Sequence, residues 1–244
     1  MQHGLLDVKL ATWLRDIGDE LYLFVHGLGC SKMSWLDAWS RPEMRDRSLL
    51  AIDLPGFGHS ERPPGFGGEL TDHAAVLASI IDAHASKRIH LVAHSMGGSV
   101  ALLLPDRILS RLGYLSLIEP RLFVSSCGVA SQTAGAGFEV FRREAFPKFV
   151  KLVARDAKSG FDLNHADIES FYSSAKSLQS WAGSGKLLDR FRHCPCPAVF
   201  VYGSMNSHLE ELQHIDDKQK IRIADAGHFV MQDQPQALYH QLAA

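Results

Sequence analysis

The chain has no long apolar run, few cysteines and no excess of either charge, and each shortage removes a class of function. None of its hydrophobic stretches approaches the roughly 18–20 residues that cross a bilayer as a helix, so no membrane span is expected. Four cysteines (Cys30, Cys127, Cys194 and Cys196) in 244 residues cannot form the disulfide framework of a small secreted domain. Lysine and arginine number 25 against 27 aspartates and glutamates, with no run of one sign. Proteins that grip phosphate backbones draw on a basic excess, so nucleic acid is not an expected partner. Met1-Gln2-His3-Gly4, followed by Asp7 and Lys9, lacks the pattern of a secretory leader. A soluble, cytoplasmic protein is expected. Cys194-Pro195-Cys196-Pro197, with His193 beside it, falls short of the four ligands of a structural zinc, so neither metal nor cofactor is expected.

What the sequence does have is short apolar runs, each followed by a tight turn and then a helical pattern. Leu21–Val25 leads into His26-Gly27-Leu28-Gly29, Leu49–Ile52 into Asp53–Ser60, Ile89–Ala93 into a helix from Ser95, and Tyr114–Ile118 into Glu119-Pro120. Ala198–Tyr202 and Lys220–Ala224 repeat the pattern. Continuous rather than alternating apolar runs indicate strands buried on both faces. Their alternation with helices indicates right-handed crossovers and a mainly parallel sheet, an α/β fold. Thr71 is placed as the N-cap of the helix carrying Ala75, Val76, Ile80 and Ile81, and Pro105 ends the helix from Ser95. The last helix is expected near 235–242, with Pro235 in its first turn.

Residues 121–190 break this alternation. About 70 residues without a buried strand exceed an ordinary connection and read as a helical insertion over one edge of the sheet. Pro147 is expected to split one helix of the insertion and Asn164 to cap another. The chain is thereby divided into a core (1–120), a cap (121–190) and the rest of the core (191–244). Nine of the 22 aromatic residues lie between Phe138 and Phe191; most should pin the cap to the core, and a few should line a pocket.

Ala93-His94-Ser95-Met96-Gly97-Gly98 follows a buried strand and opens a helix, the context of a nucleophile elbow. The turn demands small residues two positions either side of the serine, met by Ala93 and Gly97, and the helix N-terminus behind Ser95 favours developing negative charge. With His26–Gly29, Asp53–Ser60, His94–Gly98 and Ala226-Gly227-His228 in that order, the chain resembles the α/β-hydrolase superfamily over nearly its whole length. The resemblance implies a mostly parallel sheet flanked by helices, with a helical cap between the strands ending at Ile118 and beginning at Ala198. It implies Ser95 as nucleophile, His228 as general base and acid, and the backbone N–H groups of Leu28 and Met96 as oxyanion hole. His26 and His94 would serve packing and loop hydrogen bonds, and Asp53 would hold loops together.

The third catalytic member departs from the common pattern. Where the superfamily usually carries an acid in a Gly-x-x-Asp turn, this chain reads Gly203-Ser204-Met205-Asn206. One reading moves the acid one strand earlier, to Glu119; the other leaves Asn206 orienting His228, or Glu210 reaching back from the next helix. The first is favoured, and makes Glu119→Gln damaging and Asn206→Ala mild. The resemblance then implies acyl transfer on a small-molecule ester or thioester with a small to medium apolar acyl group, which a carrier could present. A non-hydrolytic binder, a lyase or a carbon–carbon bond hydrolase on the same fold is the alternative. Arg142, Arg143 and Lys148 are the cap cations that could meet a carboxylated substrate, although such side chains more often face solvent.

Overall fold

The computed structural model describes residues 9–155 and 160–243, so the reading of the N-terminus lies mostly outside the described residues. Among the described residues, seven strands form one sheet: β1 (Thr12–Arg15), β2 (Glu20–Val25), β3 (Ser48–Ile52), β4 (Arg88–His94), β5 (Leu112–Ile118), β6 (Ala198–Gly203) and β7 (Lys220–Ile223). Their spatial order is β1-β3-β2-β4-β5-β6-β7. Six are mutually parallel, and β1 pairs antiparallel with β3. The expected α/β architecture is present. The additional strand, β1, lies at the edge and alternates exposed with half-buried residues, so it offers no apolar run to read.

The helices are α1 (Leu70–Ala83), α2 (Met96–Leu102), α3 (Asp106–Leu109), α4 (Gly128–Ala134), α5 (Phe138–Val140), α6 (Phe146–Val153), α7 (Ile168–Gly183), α8 (Lys186–Arg192), α9 (Val230–Asp233) and α10 (Pro235–Ala243). Continuous apolar strands arise because each strand serves two cores. Leu21, Leu23 and Val25 of β2 join Leu91 and Ala93 of β4 on the side of α1, α2 and α8. Tyr22, Phe24 and Val92 face the other way, toward Trp35 and Tyr239. Burying such side chains on both faces supplies the main drive to fold, about 1.5–3 kcal/mol for each large one.

Three local expectations are corrected. Thr71 lies inside α1, whose N-cap is Glu69; Glu69 and Asp72 form a reciprocal capping box that satisfies two amides at once. Asp167 rather than Asn164 caps α7, accepting from Ser170 N at 2.8 Å. Pro147 does not split its helix: the chain stays helical from Phe138 to Val153 through a wide π turn at Phe141–Ala145 that ends just before the proline. Widening the turn there lets the chain accept a residue without an N–H, whose ring would crowd the preceding carbonyls. Among the described residues, no helix is long and apolar enough to cross a membrane.

Parallel register brings the C-terminal ends of β2 to β7 to one rim of the sheet. Val25 pairs with Ala93, His94 with Ile118, Ile118 with Val201, and Gly203 with Ile223. The chain leaves β2 toward β3 on one side, and β4 toward β5 on the other, so a crevice opens where β2 and β4 lie side by side. Ligands of open α/β sheets collect at such a reversal.

Candidate active site

Ser95 follows the last residue of β4 and opens α2, with its backbone at φ 52°, ψ −120°. A non-glycine residue held there is strained. The strain persists because Ser95 N donates to Ile118 O at 2.9 Å and its carbonyl accepts from Gly98 N at 3.0 Å. Gly97 is required by contact: a Cβ there would stand 2.4 Å from His26 O. Gly27 allows the loop after β2 to press on the serine, since a Cβ at that position would meet Ser95 Cβ at 3.0 Å.

Glu119 follows β5 as Ser95 follows β4, and it too has positive φ, at 43°. Its N–H donates to Val201 O at 2.9 Å. The carboxylate is fully buried. Oε1 accepts from Gly203 N at 3.1 Å, and Asn206 Nδ2 stands 2.8 Å from both oxygens. Burial raises the Glu119 pKa, and these donors, Asn206 first, oppose the rise by favouring the charged form.

His228 comes from the loop after β7 and joins the two. Its Nδ1 lies 2.8 Å from Glu119 Oε2 and its Nε2 3.1 Å from Ser95 Oγ. This network assigns the proton to Nδ1, donating to the carboxylate, and leaves Nε2 to accept from the hydroxyl. The structure thus brings Ser95, His228 and Glu119 into one hydrogen-bonded chain. Asn206 contacts the carboxylate, not the imidazole. Glu210 is turned away, accepting from Ser125 Oγ at 2.6 Å. His94 fixes the loop of His228 from below, with Nε2 3.0 Å from the His228 carbonyl. His26 Nε2 accepts from Leu54 N at 3.0 Å, and Asp53 binds Lys32 and accepts from His59 N at 2.8 Å, both in the loop-holding roles expected of them.

Two charged residues near the site, partly buried Arg121 and buried Glu211, were missed. Arg121, two residues beyond Glu119, places Nη2 2.8 Å from His228 Nδ1 and 2.9 Å from Nε2. Near-equal distances to two nitrogens flanking one carbon put it over the ring face, because Glu119 and Ser95 already hold the in-plane positions. Burial first, and this guanidinium second, hold the His228 pKa well below the ordinary histidine value. Glu211 is fully buried, and its Oε1 accepts from Leu122 N at 3.3 Å. Neither belongs to a recognisable motif; the adjacency of Arg121 to Glu119-Pro120 was the available signal. The cations of the helical segment 121–190 face solvent as expected, with Arg142 and Arg143 paired to Glu139 and Lys148 to Glu144.

A cleft open to solvent meets Ser95 and His228. Arg121 lines it, together with apolar Val129, Ala130, Leu178, Phe161 and Phe229. Leu28, from the loop after β2, lies in its wall. Among the described residues, neither Leu28 N–H nor Met96 N–H donates to another protein group. Most aromatics of the helical segment pack on one another, Phe141 against Phe146 and Phe171, whereas Phe161 reaches the cleft against Phe229. Cys194 and Cys196 lie at the opposite end of β6, their sulfurs 3.5 Å apart and unlinked.

A profile of the alpha/beta hydrolase family matches residues 22–241. The chain is 34% identical over 145 residues to the dihydrolipoyllysine-residue acetyltransferase component of the acetoin cleaving system of Cupriavidus necator, a match covering 57% of this chain and 36% of that protein. It is 34% identical over 113 residues to the 2-hydroxy-6-oxo-2,4-heptadienoate hydrolase of Pseudomonas putida, covering 45% of this chain and 41% of that one. The chain thus spans well under two thirds of these relatives. Among solved structures, an esterase from Thermogutta terrifontis superposes with a TM-score of 0.72 at 21% identity, over 96% of this chain and 92% of that one, a likeness of fold.

Proposed function

The chain belongs to the alpha/beta hydrolase family, and from that premise we propose that it is a serine hydrolase that cleaves a small-molecule carboxylic ester or thioester through an acyl-enzyme at Ser95. The observation that carries this reading is the Ser95–His228–Glu119 chain of contacts at 3.1 and 2.8 Å, open to a cleft. His228 Nε2 takes the hydroxyl proton as Ser95 Oγ attacks the carbonyl. Glu119 stabilises the imidazolium that forms, and the free amides of Leu28 and Met96 receive the developing oxyanion. His228 then protonates the leaving group, and water repeats the sequence to release the acid. The helical segment 121–190 acts as a cap over cores 1–120 and 191–244, and its apolar wall takes a small to medium acyl chain. A carrier-bound acyl group would enter by the same cleft.

The test is turnover of p-nitrophenyl butyrate by wild type and Ser95→Ala. Loss of a thousand-fold or more in the variant supports the reading. Equal rates, or none in either protein, would favour a binder on the same fold. The likeness to a 2-hydroxy-6-oxo-2,4-heptadienoate hydrolase favours carbon–carbon bond hydrolysis as the second reading, through the same serine and histidine.

A further inference from the structure

Arg121 is built into the site more firmly than a stray cation would be. Ser99 Oγ donates to its backbone carbonyl at 3.0 Å, and the next amide, Leu122 N, donates to the buried Glu211. Its guanidinium lines the cleft yet, among the described residues, forms no ion pair with a carboxylate; Glu119 and Glu211 act on it only at longer range. Where it rests, over the face of His228, a fixed positive charge works against the reaction, because His228 must itself become positive. A cation kept in a cleft with donors to spare and no anion of its own is an incomplete pair, and desolvated guanidinium forks match carboxylates in geometry and charge.

Building on the hydrolase reading, we propose that Arg121 is a specificity-determining residue that receives a carboxylate of the substrate, so that the preferred esters or thioesters are monoesters of short dicarboxylic acids. Nη2 stands 2.9 Å from His228 Nε2, which stands 3.1 Å from Ser95 Oγ, so one imidazole nitrogen separates the guanidinium from the nucleophile. Carboxylate and scissile carbonyl therefore belong to one short chain, whose methylenes lie against Val129, Ala130 and Leu178. The carboxylate also neutralises the charge over the imidazole at the moment His228 accepts its proton. Neutral esters leave Arg121 in place and react more slowly. Among the described residues, the charged or titratable groups against the imidazole are Glu119, Arg121 and His94, and only Arg121 is a fixed cation.

The experiment compares monoethyl succinate with its neutral isostere, ethyl succinamate, in wild type, Arg121→Met and Arg121→Lys. Wild type should prefer the monoester by at least tenfold in kcat/KM, Arg121→Met should abolish the preference, and Arg121→Lys should restore part of it. For ethyl succinamate, the acid limb of the kcat/KM profile should move to higher pH in Arg121→Met, a shift that a merely structural arginine would not cause. Equal rates in wild type, or a preference that survives Arg121→Met, would overturn the proposal while leaving the hydrolase reading intact. Calorimetric titration of monoethyl succinate into Ser95→Ala, with and without Arg121→Met, reads the same contact without turnover. Binding lost with the arginine supports it, and absence of binding in both refutes it.

Discussion

Replacing Glu119 by glutamine exchanges one oxygen for an NH₂ group in a buried cage and leaves its shape unchanged. The Gly203 N–H can still donate to the remaining oxygen, so the backbone of the site has no reason to move. Two things change at His228. The amide nitrogen opposes an N–H on Nδ1, so the imidazole shifts its proton to Nε2, which then faces Ser95 as a donor and cannot take the hydroxyl proton. The imidazolium also loses a negative charge in direct contact. Unit charges about 4 Å apart at an effective dielectric near 20 interact by about 4 kcal/mol. At about 1.4 kcal/mol per decade, that corresponds to about a thousand-fold in kcat. Stopped-time assays on p-nitrophenyl butyrate, beside circular dichroism melts showing an unchanged fold, measure it. A Glu119→Gln enzyme within tenfold of wild type would refute the reasoning and return the role to the Asn206 turn.

Asn206→Ala deserves a revised expectation: its amide donates into both Glu119 oxygens, and hydrogen bonds to charged groups are worth about 1.5–3 kcal/mol, so kcat should fall roughly ten- to a hundred-fold rather than stay unchanged. Gly97→Ala should destabilise the protein by about 1–3 kcal/mol in urea unfolding and remove activity, because its methyl collides with the His26 carbonyl beneath Ser95; an active variant of normal stability would contradict the elbow geometry. Burial holds His73 neutral with its pKa down at about 3. The unfolded chain therefore binds protons below about pH 6.5 that the native one refuses, and His73 alone should cost about 2 kcal/mol between pH 7 and 5, read as a falling urea midpoint. Cys194, whose thiol is lowered to about 7 chiefly by the hydrogen bond with Cys196, should be the first cysteine alkylated by iodoacetamide at pH 7.5, well ahead of buried Cys30, which is pushed up to about 12.

What could be read from the sequence divides along physical lines. Five strands were legible because burial on both faces demands uninterrupted apolar runs; β7, at one edge, was read from its two isoleucines although only Ile223 is buried, while β1, at the other edge with alternate residues exposed, left no such mark. Ser95 and His228 stood out because a strained turn and a loop after a final strand restrict their neighbours to small residues. Glu119 was legible by position, immediately beyond a buried strand in register with the one before Ser95. The cage around it was not: Asn206 reads as the absence of an acid, and only three dimensions reveal it as a donor to one. Arg121 was opaque for the same reason, since its importance lies in stacking over a histidine 107 positions away. The helices between β5 and β6 followed from periodicity, but their N-caps and the π turn before Pro147 depended on side-chain pairings and local accommodation that spacing does not encode.

Whether Ser95 is an activated nucleophile is measured most directly by intact mass after exposure to a fluorophosphonate, for wild type and Ser95→Ala side by side. An activated Ser95 should give a single stoichiometric adduct on wild type and none on the variant. An unmodified wild-type protein, or an adduct that persists without Ser95, would contradict that role.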